Sequence, residues 1–250
     1  IPDDMPEAEL RSWAYQRYIK KYLRVVQSVD DNVGRMLDYL DEKGLTENTL
    51  IIYTSDQGFF LGDHGWYDKR FMYEPAFRIP LLMRYPERID ASPVESRMVV
   101  NVDIAPTILD YACIAIPEVM QGESLAPMLD SKADVDWRDS VYYSYYENSW
   151  ALRDASREDM SDPSFNYFTA HRIGPHRGVR TDRFKLIEYY SKSDYWEFFD
   201  LKADPNEVNN LYMDLAYADK IAELTLELRR LQKQYKDVGI WERLVQPDYR

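Results

Sequence analysis

The chain has 250 residues, 45% of them apolar, and a formal net charge of −13. That is enough apolar material for one large or two modest cores, while the acidic balance, with no basic cluster to interrupt it, argues against nucleic acid as a partner. A single cysteine excludes an internal disulfide framework, and no apolar run reaches the ~18 residues that a membrane-spanning helix needs.

Pro6 to Lys43 reads as one long amphipathic helix. Tyr18, Tyr22, Val25, Val29, Val33, Met36 and Leu40 recur every three or four residues, and Gly44 stands where a helix stops. The adjacent Asp30 and Asp31 point about 100° apart on such a helix and make a poor ligand pair. The run Leu50-Ile51-Ile52-Tyr53 then ends in Thr54-Ser55-Asp56-Gln57-Gly58. This is the pattern of a buried parallel strand, expected over Thr49–Thr54, that delivers polar groups at its carboxyl end. In open α/β sheets that edge is where ligands bind. Asp63, His64, Asp68, Lys69 and Arg70 follow in a stretch too rich in glycine and aromatics to be a solvated helix. A strand at Pro80–Tyr85 and a helix near Val102–Ala112, with Pro106 in its first turn, continue the alternation, which implies a parallel or mixed α/β sheet.

From Asp136 the texture changes. Ser140–Tyr146, Arg177–Thr181, Phe184–Tyr190 and Tyr195–Leu201 are short aromatic or β-branched runs separated by turn residues, as in a small antiparallel sheet. Tyr142, Tyr143, Tyr145 and Tyr146 alternate between the faces of such a strand, so at most half of them line any one pocket. The Ser-, Asp- and Arg-rich stretch Glu147–Pro175 reads as a long loop. Ala216–Tyr235 is an amphipathic helix with Ile221, Leu224, Leu228 and Leu231 on one face. The chain divides into an α/β part, residues 1–135, and a smaller α+β part, residues 136–250. The 21 tyrosines, 9 phenylalanines and 6 tryptophans read first as core and sheet packing and only second as stacking surface.

Thr54-Ser55-Asp56-Gln57-Gly58, Leu61-Gly62-Asp63-His64-Gly65, Asp68-Lys69-Arg70, Tyr73-Glu74 and Arg78-Ile79-Pro80-Leu81-Leu82 follow one another in a distinctive order and spacing. In this the chain resembles the second half of a type I sulfatase, a family of the alkaline phosphatase superfamily. The likeness continues through Val102-Asp103-Ile104-Ala105-Pro106-Thr107, Gln121-Gly122-Glu123-Ser124-Leu125, Gly178–Leu186 and Phe199–Glu207. It implies an α/β fold: part of an alkaline-phosphatase-like mixed sheet flanked by helices, then a small antiparallel sheet packed with a C-terminal helix. Sulfatases also carry, near their N-terminus, a Cys or Ser in the pattern Cys/Ser-x-Pro-x-Arg that becomes formylglycine, and an early Asp-Asp pair that binds metal. Here Cys113 is followed by Ile114-Ala115-Ile116-Pro117, and Ser161-Asp162-Pro163-Ser164-Phe165 has Phe where Arg belongs. The resemblance therefore implies the C-terminal portion of a longer protein, inactive alone, whose N-terminal half supplies the formylglycine and the other metal ligands.

The resemblance also implies a site. Asp56 and Gln57 become ligands of a calcium ion, a hard cation that takes oxygen donors; the family more often has Asn where Gln57 stands. Lys69 contacts the sulfate and the bridging ester oxygen, where its charge offsets that developing on the leaving alcohol. His64 is a candidate catalytic residue, as a proton donor near the leaving group, or else a structural residue ordering the loop. The Asp68-Lys69-Arg70 triplet resembles that of sulfatases removing 6-O-sulfate from N-acetylglucosamine, in which Asp68 and Arg70 bind sugar hydroxyls. A local Asp–Arg ion pair that only shapes the loop is the other reading. His176 is the candidate second sugar contact, with His171 behind it. The implied reaction is hydrolysis of a carbohydrate O-sulfate, and the acidic surface suits an enzyme engaging one terminal sugar rather than a sulfated polymer. The implied partners are the sulfated sugar and the N-terminal half, with no nucleic acid and no membrane span, and the implied location is extracytoplasmic, whether periplasmic, secreted or lysosomal. Two alternatives stay open: a phosphodiesterase or phosphonate hydrolase of the same superfamily, and a noncatalytic glycan-binding remnant.

Overall fold

The computed structural model describes residues 5–91, 95–130, 135–146, 175–189 and 195–237. The loop expected over 147–175 lies outside them apart from Pro175, as do His171 and Ser161.

Helix α1 runs Glu7–Glu42, and Gly44 beyond it takes a φ of 64° that ends the helix in the left-handed region. The predicted stripe is there but largely uncovered, with Val25 65% and Met36 69% exposed. Near its start Tyr18 meets Tyr67 edge-on at 4.9 Å.

Strands β1 (Ile51–Thr54) and β2 (Leu81–Arg84) form a two-stranded antiparallel ladder in which Ile51 faces Arg84 and Thr54 faces Leu81. The expected parallel neighbour is thus replaced, among the described residues, by an antiparallel one, with Tyr53 and Leu82 41% and 61% exposed. A parallel return needs a full crossover, usually a helix of several turns. Between β1 and β2 lie only a loop, a 3-10 turn at Asp63–Gly65 and the short helix α2 (Glu74–Phe77).

After β2, a 3-10 turn at Asn101–Asp103 leads into α3 (Ile104–Tyr111), and α4 (Ala126–Asp130) follows. Asp103 is fully buried. Its carboxylate accepts from the backbone N–H of Val100 at 2.8 Å and of Glu123 at 2.9 Å, and takes both guanidinium nitrogens of Arg138 at 2.6 and 2.9 Å. Thr107 accepts from the Leu125 N–H at 2.9 Å. The sulfatase-like segments around Asp103 and Gly122 are thus one hydrogen-bonded knot, and a Cβ on Gly122 would meet the Val102 carbonyl oxygen at 2.0 Å.

Strands β3 (Ser140–Tyr145), β4 (His176–Thr181), β5 (Phe184–Tyr189) and β6 (Tyr195–Asp200) form an antiparallel sheet in chain order, as expected. The period-2 pleat gives it two unlike faces. Val179, Leu186 and Phe198 pack on Leu224, Leu228 and Leu231 of helix α5 (Ala218–Gln234). Ile187, Tyr189 and Phe199, on the other side, pack on Phe60, Met72, Tyr73 and Ala76 from the stretch after β1. Tyr142 joins the first cluster and Tyr143 the second.

The contact is close enough to require glycine. A Cβ on Gly178 would lie 2.3 Å from Met72 Sδ and 2.6 Å from the Leu186 carbonyl oxygen. The substitution Gly178→Ala is expected to destabilise the protein by ~1–3 kcal/mol through overpacking, visible as a lowered thermal midpoint. An unshifted midpoint would mean that the 71–77 segment does not sit on the sheet.

Candidate active site

The stretch leaving β1 is folded back on itself. Phe60 N–H donates to the Asp68 carbonyl at 2.7 Å and Gly62 N–H to that of Trp66 at 2.9 Å, closing a turn in which Gly62, His64 and Gly65 all have positive φ. Gly58 N–H donates to the Ala76 carbonyl at 2.8 Å, and a Cβ there would strike the Pro75 oxygen at 2.2 Å. Only a glycine lets the strand end approach α2 so closely.

This folding brings Asp56, Gln57, Lys69 and Arg70 to the wall of one open cleft of about 2320 Å³, together with Glu74 and Arg180. Asp56 is exposed, and Gln57, Lys69 and Arg70 are partly buried. The Lys69 ammonium has no ion-pair or hydrogen-bond partner among the described residues. Arg70 Nη1 donates to Asp68 Oδ1 at 3.0 Å, and the Arg70 carbonyl accepts from the Tyr143 hydroxyl at 2.8 Å. The Asp68–Arg70 ion pair of the second sequence reading is therefore formed, while Arg70 still faces the cleft.

His64 and His176 are not brought to the cleft wall. His64 lies at the tip of the turn with its ring 5.8 Å from that of Trp66 and 5.0 Å from that of Tyr73, on the aromatic cluster. His176 is fully buried, its ring 5.4, 5.2 and 5.0 Å from Tyr143, Tyr145 and Tyr189. Its inward position on β4 places it beneath the loop.

The sequence reading passed over the buried polar groups under the loop. Lys185 on β5, fully buried, donates to Glu207 Oε1 at 2.6 Å and pairs with Glu74 Oε1 at 2.8 Å. Arg180, directly opposite Lys185 in the ladder, reaches Glu74 at 3.2 and 3.3 Å. Burial opposes the charge on Glu74, but Lys185 and Arg180 outweigh it and hold its carboxyl below the ordinary range. For Glu207, more deeply enclosed, burial wins over Lys185 and the carboxyl is raised. The nearby Glu197 carboxylate accepts from the hydroxyls of Tyr73 at 2.9 Å, Tyr189 at 3.1 Å and Tyr195 at 2.9 Å. Burial, then Glu197, pushes the Tyr73 phenol well above its usual value. A signal for the Lys185 cluster exists in the sequence. The two-residue turn Asp182-Arg183 sets Arg180 against Lys185, and like charges directly opposite require a carboxylate between them.

Asp56 and Gln57 offer two hard oxygen donors. Calcium takes six to eight, and among the described residues no group of three or more His, Cys, Asp or Glu side chains could hold a metal. The donors fit such a cation in type and fall short of it in number.

Comparison with known proteins follows the same lines. The family model described as N-sulphoglucosamine sulphohydrolase, C-terminal, matches residues 62–159 and 149–234, and a type I phosphodiesterase / nucleotide pyrophosphatase model matches residues 13–81. An N-acetylglucosamine-6-O-sulfatase of Bacteroides thetaiotaomicron is 47% identical over 236 residues, covering 94% of this chain and 39% of that protein. A structure solved in complex with its substrate D-glucosamine-2-N,6-O-disulfate superimposes with a TM-score of 0.81 at 46% identity, over 94% of this chain and 44% of that one. The phosphonate monoester hydrolase of Agrobacterium radiobacter gives a TM-score of 0.72 at 26% identity, over 84% of this chain and 40% of that one. The chain spans less than half the length of these relatives. By its family match and its fold, it belongs to the sulfatases of the alkaline phosphatase superfamily and corresponds to their C-terminal portion.

Proposed function

We propose that the protein to which this chain contributes hydrolyses the O-sulfate of a carbohydrate, the 6-O-sulfate of an N-acetylglucosamine-type sugar being its substrate. The observation that carries this reading is the unpartnered ammonium of Lys69 on the same cleft wall as Asp56 and Gln57. It is supported by the identity to an N-acetylglucosamine-6-O-sulfatase.

In this reading Lys69 binds a sulfate oxygen and the bridging ester oxygen. As the S–O bond breaks, negative charge grows on the leaving alcohol, and a fixed cation there stabilises the transition state more than the ground state. Arg70, kept in plane by Asp68, donates to sugar hydroxyls. His64 and His176 have framework roles, one ordering the turn and the other supporting the loop from beneath. Asp56 and Gln57 would hold a calcium ion, which together with formylglycine, both completed by the part of the protein not covered here, would supply the nucleophile and sulfate binding. Residues 1–135 then belong to the catalytic α/β domain and 136–250 to the smaller subdomain. No described helix is long and apolar enough to cross a membrane, and a sulfated-sugar substrate supports an extracytoplasmic location.

The likeness to a phosphonate monoester hydrolase favours a second reading, hydrolysis of a phosphonate or phosphate ester at the same site. The test is turnover by the full-length protein on 6-O-sulfated N-acetylglucosamine and on phenyl phosphonate, before and after chelation. The first reading expects sulfate release that chelation abolishes and calcium restores, with Asp56→Ala unresponsive to the added calcium. A preference for the phosphonate selects the second. Sugar binding without turnover of either substrate selects the glycan-binding remnant.

A further inference from the structure

We infer that Lys185 and Glu207 are positioning residues for Lys69: by holding the backbone at Glu74 they fix where the ammonium meets the leaving oxygen. The inference rests on the sulfatase reading above and deepens it.

The side chains of both residues are fully buried, and that of Glu74 is 17% exposed. Enclosing two carboxylates with a lysine is costly, and apolar replacement of such groups is often neutral or stabilising. Stability alone does not account for the cluster. Its geometry does more. One oxygen of Glu207 takes Lys185, and the other accepts the backbone N–H of Glu74 at 2.6 Å. That N–H opens α2, a helix of 4 residues, too short to define its own start. Glu207 is itself aimed by a turn, with φ 53° and its N–H on the Asp204 carbonyl at 3.1 Å.

Between Glu74 and Lys69 there is no slack. Tyr73 is tied to Glu197, Met72 rests on Gly178, and the Arg70 carbonyl is held by Tyr143. Each anchor belongs to the four-stranded sheet. With Glu207 holding Glu74, the segment is fixed to its support at every one of these points; releasing Glu74 removes one tie and loosens the loop that carries Lys69, and a displacement of about 1 Å at a reacting group costs on the order of 100-fold in rate.

The test uses the full-length protein and two sulfate esters, 6-O-sulfated N-acetylglucosamine, with a poor leaving alcohol, and 4-nitrophenyl sulfate, whose leaving group needs little help from a cation. In K185M/E207L the acceptor for the Glu74 N–H is lost. The expected result is a kcat on the sugar sulfate lower by ~100-fold with KM nearly unchanged, a much smaller loss on the aryl ester, and an unfolding midpoint near that of the wild type. K185M/E207Q, which keeps an acceptor oxygen, recovers most of the loss. If K185M/E207L fails to fold, Glu207→Asp, which keeps the charge and retracts it by one methylene, is read by the same contrast. Equal losses on both esters, or none on either, overturn the inference and leave the sulfatase reading intact. A wild-type protein that hydrolyses neither ester defeats the reading and the inference with it.

Discussion

Replacing Lys69 by alanine in the full-length protein is expected to lower kcat on the sugar sulfate by ~10²- to 10³-fold, the loss seen when one electrostatic stabiliser is removed from a preorganised site. Lys69 lines the cleft beside Asp56, Gln57 and Arg70, and nothing among the described residues neutralises it. A surface lysine on a loop ordinarily finds a carboxylate or open water. This one is partly buried and held by neighbours that are themselves engaged, Asp68 with Arg70 and the Arg70 carbonyl with Tyr143. Because the interaction strengthens as charge reaches the leaving oxygen, the loss falls mainly on kcat, with a smaller rise in KM from the lost contact to the sulfate oxygen. Stability changes little, as for other substitutions outside packed or hydrogen-bonded positions. The measurement is a full Michaelis profile beside a thermal melt. A kcat within a few fold of the wild type would remove Lys69 from the chemistry.

The largest structural effect is expected at Asp103. Alanine there strips the Arg138 guanidinium, 10% exposed, of its bidentate partner and leaves the N–H groups of Val100 and Glu123 without their acceptor. Breaking a buried pair from one side costs ~3–5 kcal/mol, enough to erase much of a domain's ~5–15 kcal/mol. Chemical denaturation of the full-length protein reads it. The double variant Asp103→Leu with Arg138→Leu should be less damaging than Asp103→Ala alone, since no uncompensated charge then remains. A loss below about 1 kcal/mol for Asp103→Ala would show that Glu123, 3.8 Å from Arg138, takes over the pairing.

Local pattern told most where periodicity and burial coincide. The strands from Ser140 to Asp200 and helix α5 have their partners within the chain, so apolar alternation maps directly onto the two faces of one sheet. In α1 the period is right but the stripe is uncovered, because periodicity records which residues seek burial and not what buries them. β1 shows the same limit for direction. Leu50 to Tyr53 reads alike in parallel and antiparallel ladders, and only the missing crossover helix before Leu81 decides between them. Motif order gathered Asp56, Gln57, Lys69 and Arg70 on one wall, since they follow a single strand and one returning loop. The two histidines stand away from that wall for different reasons. His64 is carried away by a turn in which it takes a positive φ itself, between Gly62 and Gly65, and His176 sits at an inward position fixed by pairing with Tyr145 and Tyr189. Neither is apparent without the register.

The unlike faces of the four-stranded sheet have a bearing on engineering. On the side of Val179, Leu186 and Phe198, against α5, volume-conserving apolar exchange offers a way to raise thermal tolerance while the chemistry is left alone. The side of Gly178, Lys185 and Glu197 contacts the loop that carries Lys69, so changes there are expected to alter turnover as well under the proposed function. A random library spanning these strands should separate into two populations, with robustness and catalytic rate varying independently in variants from one face and together in variants from the other.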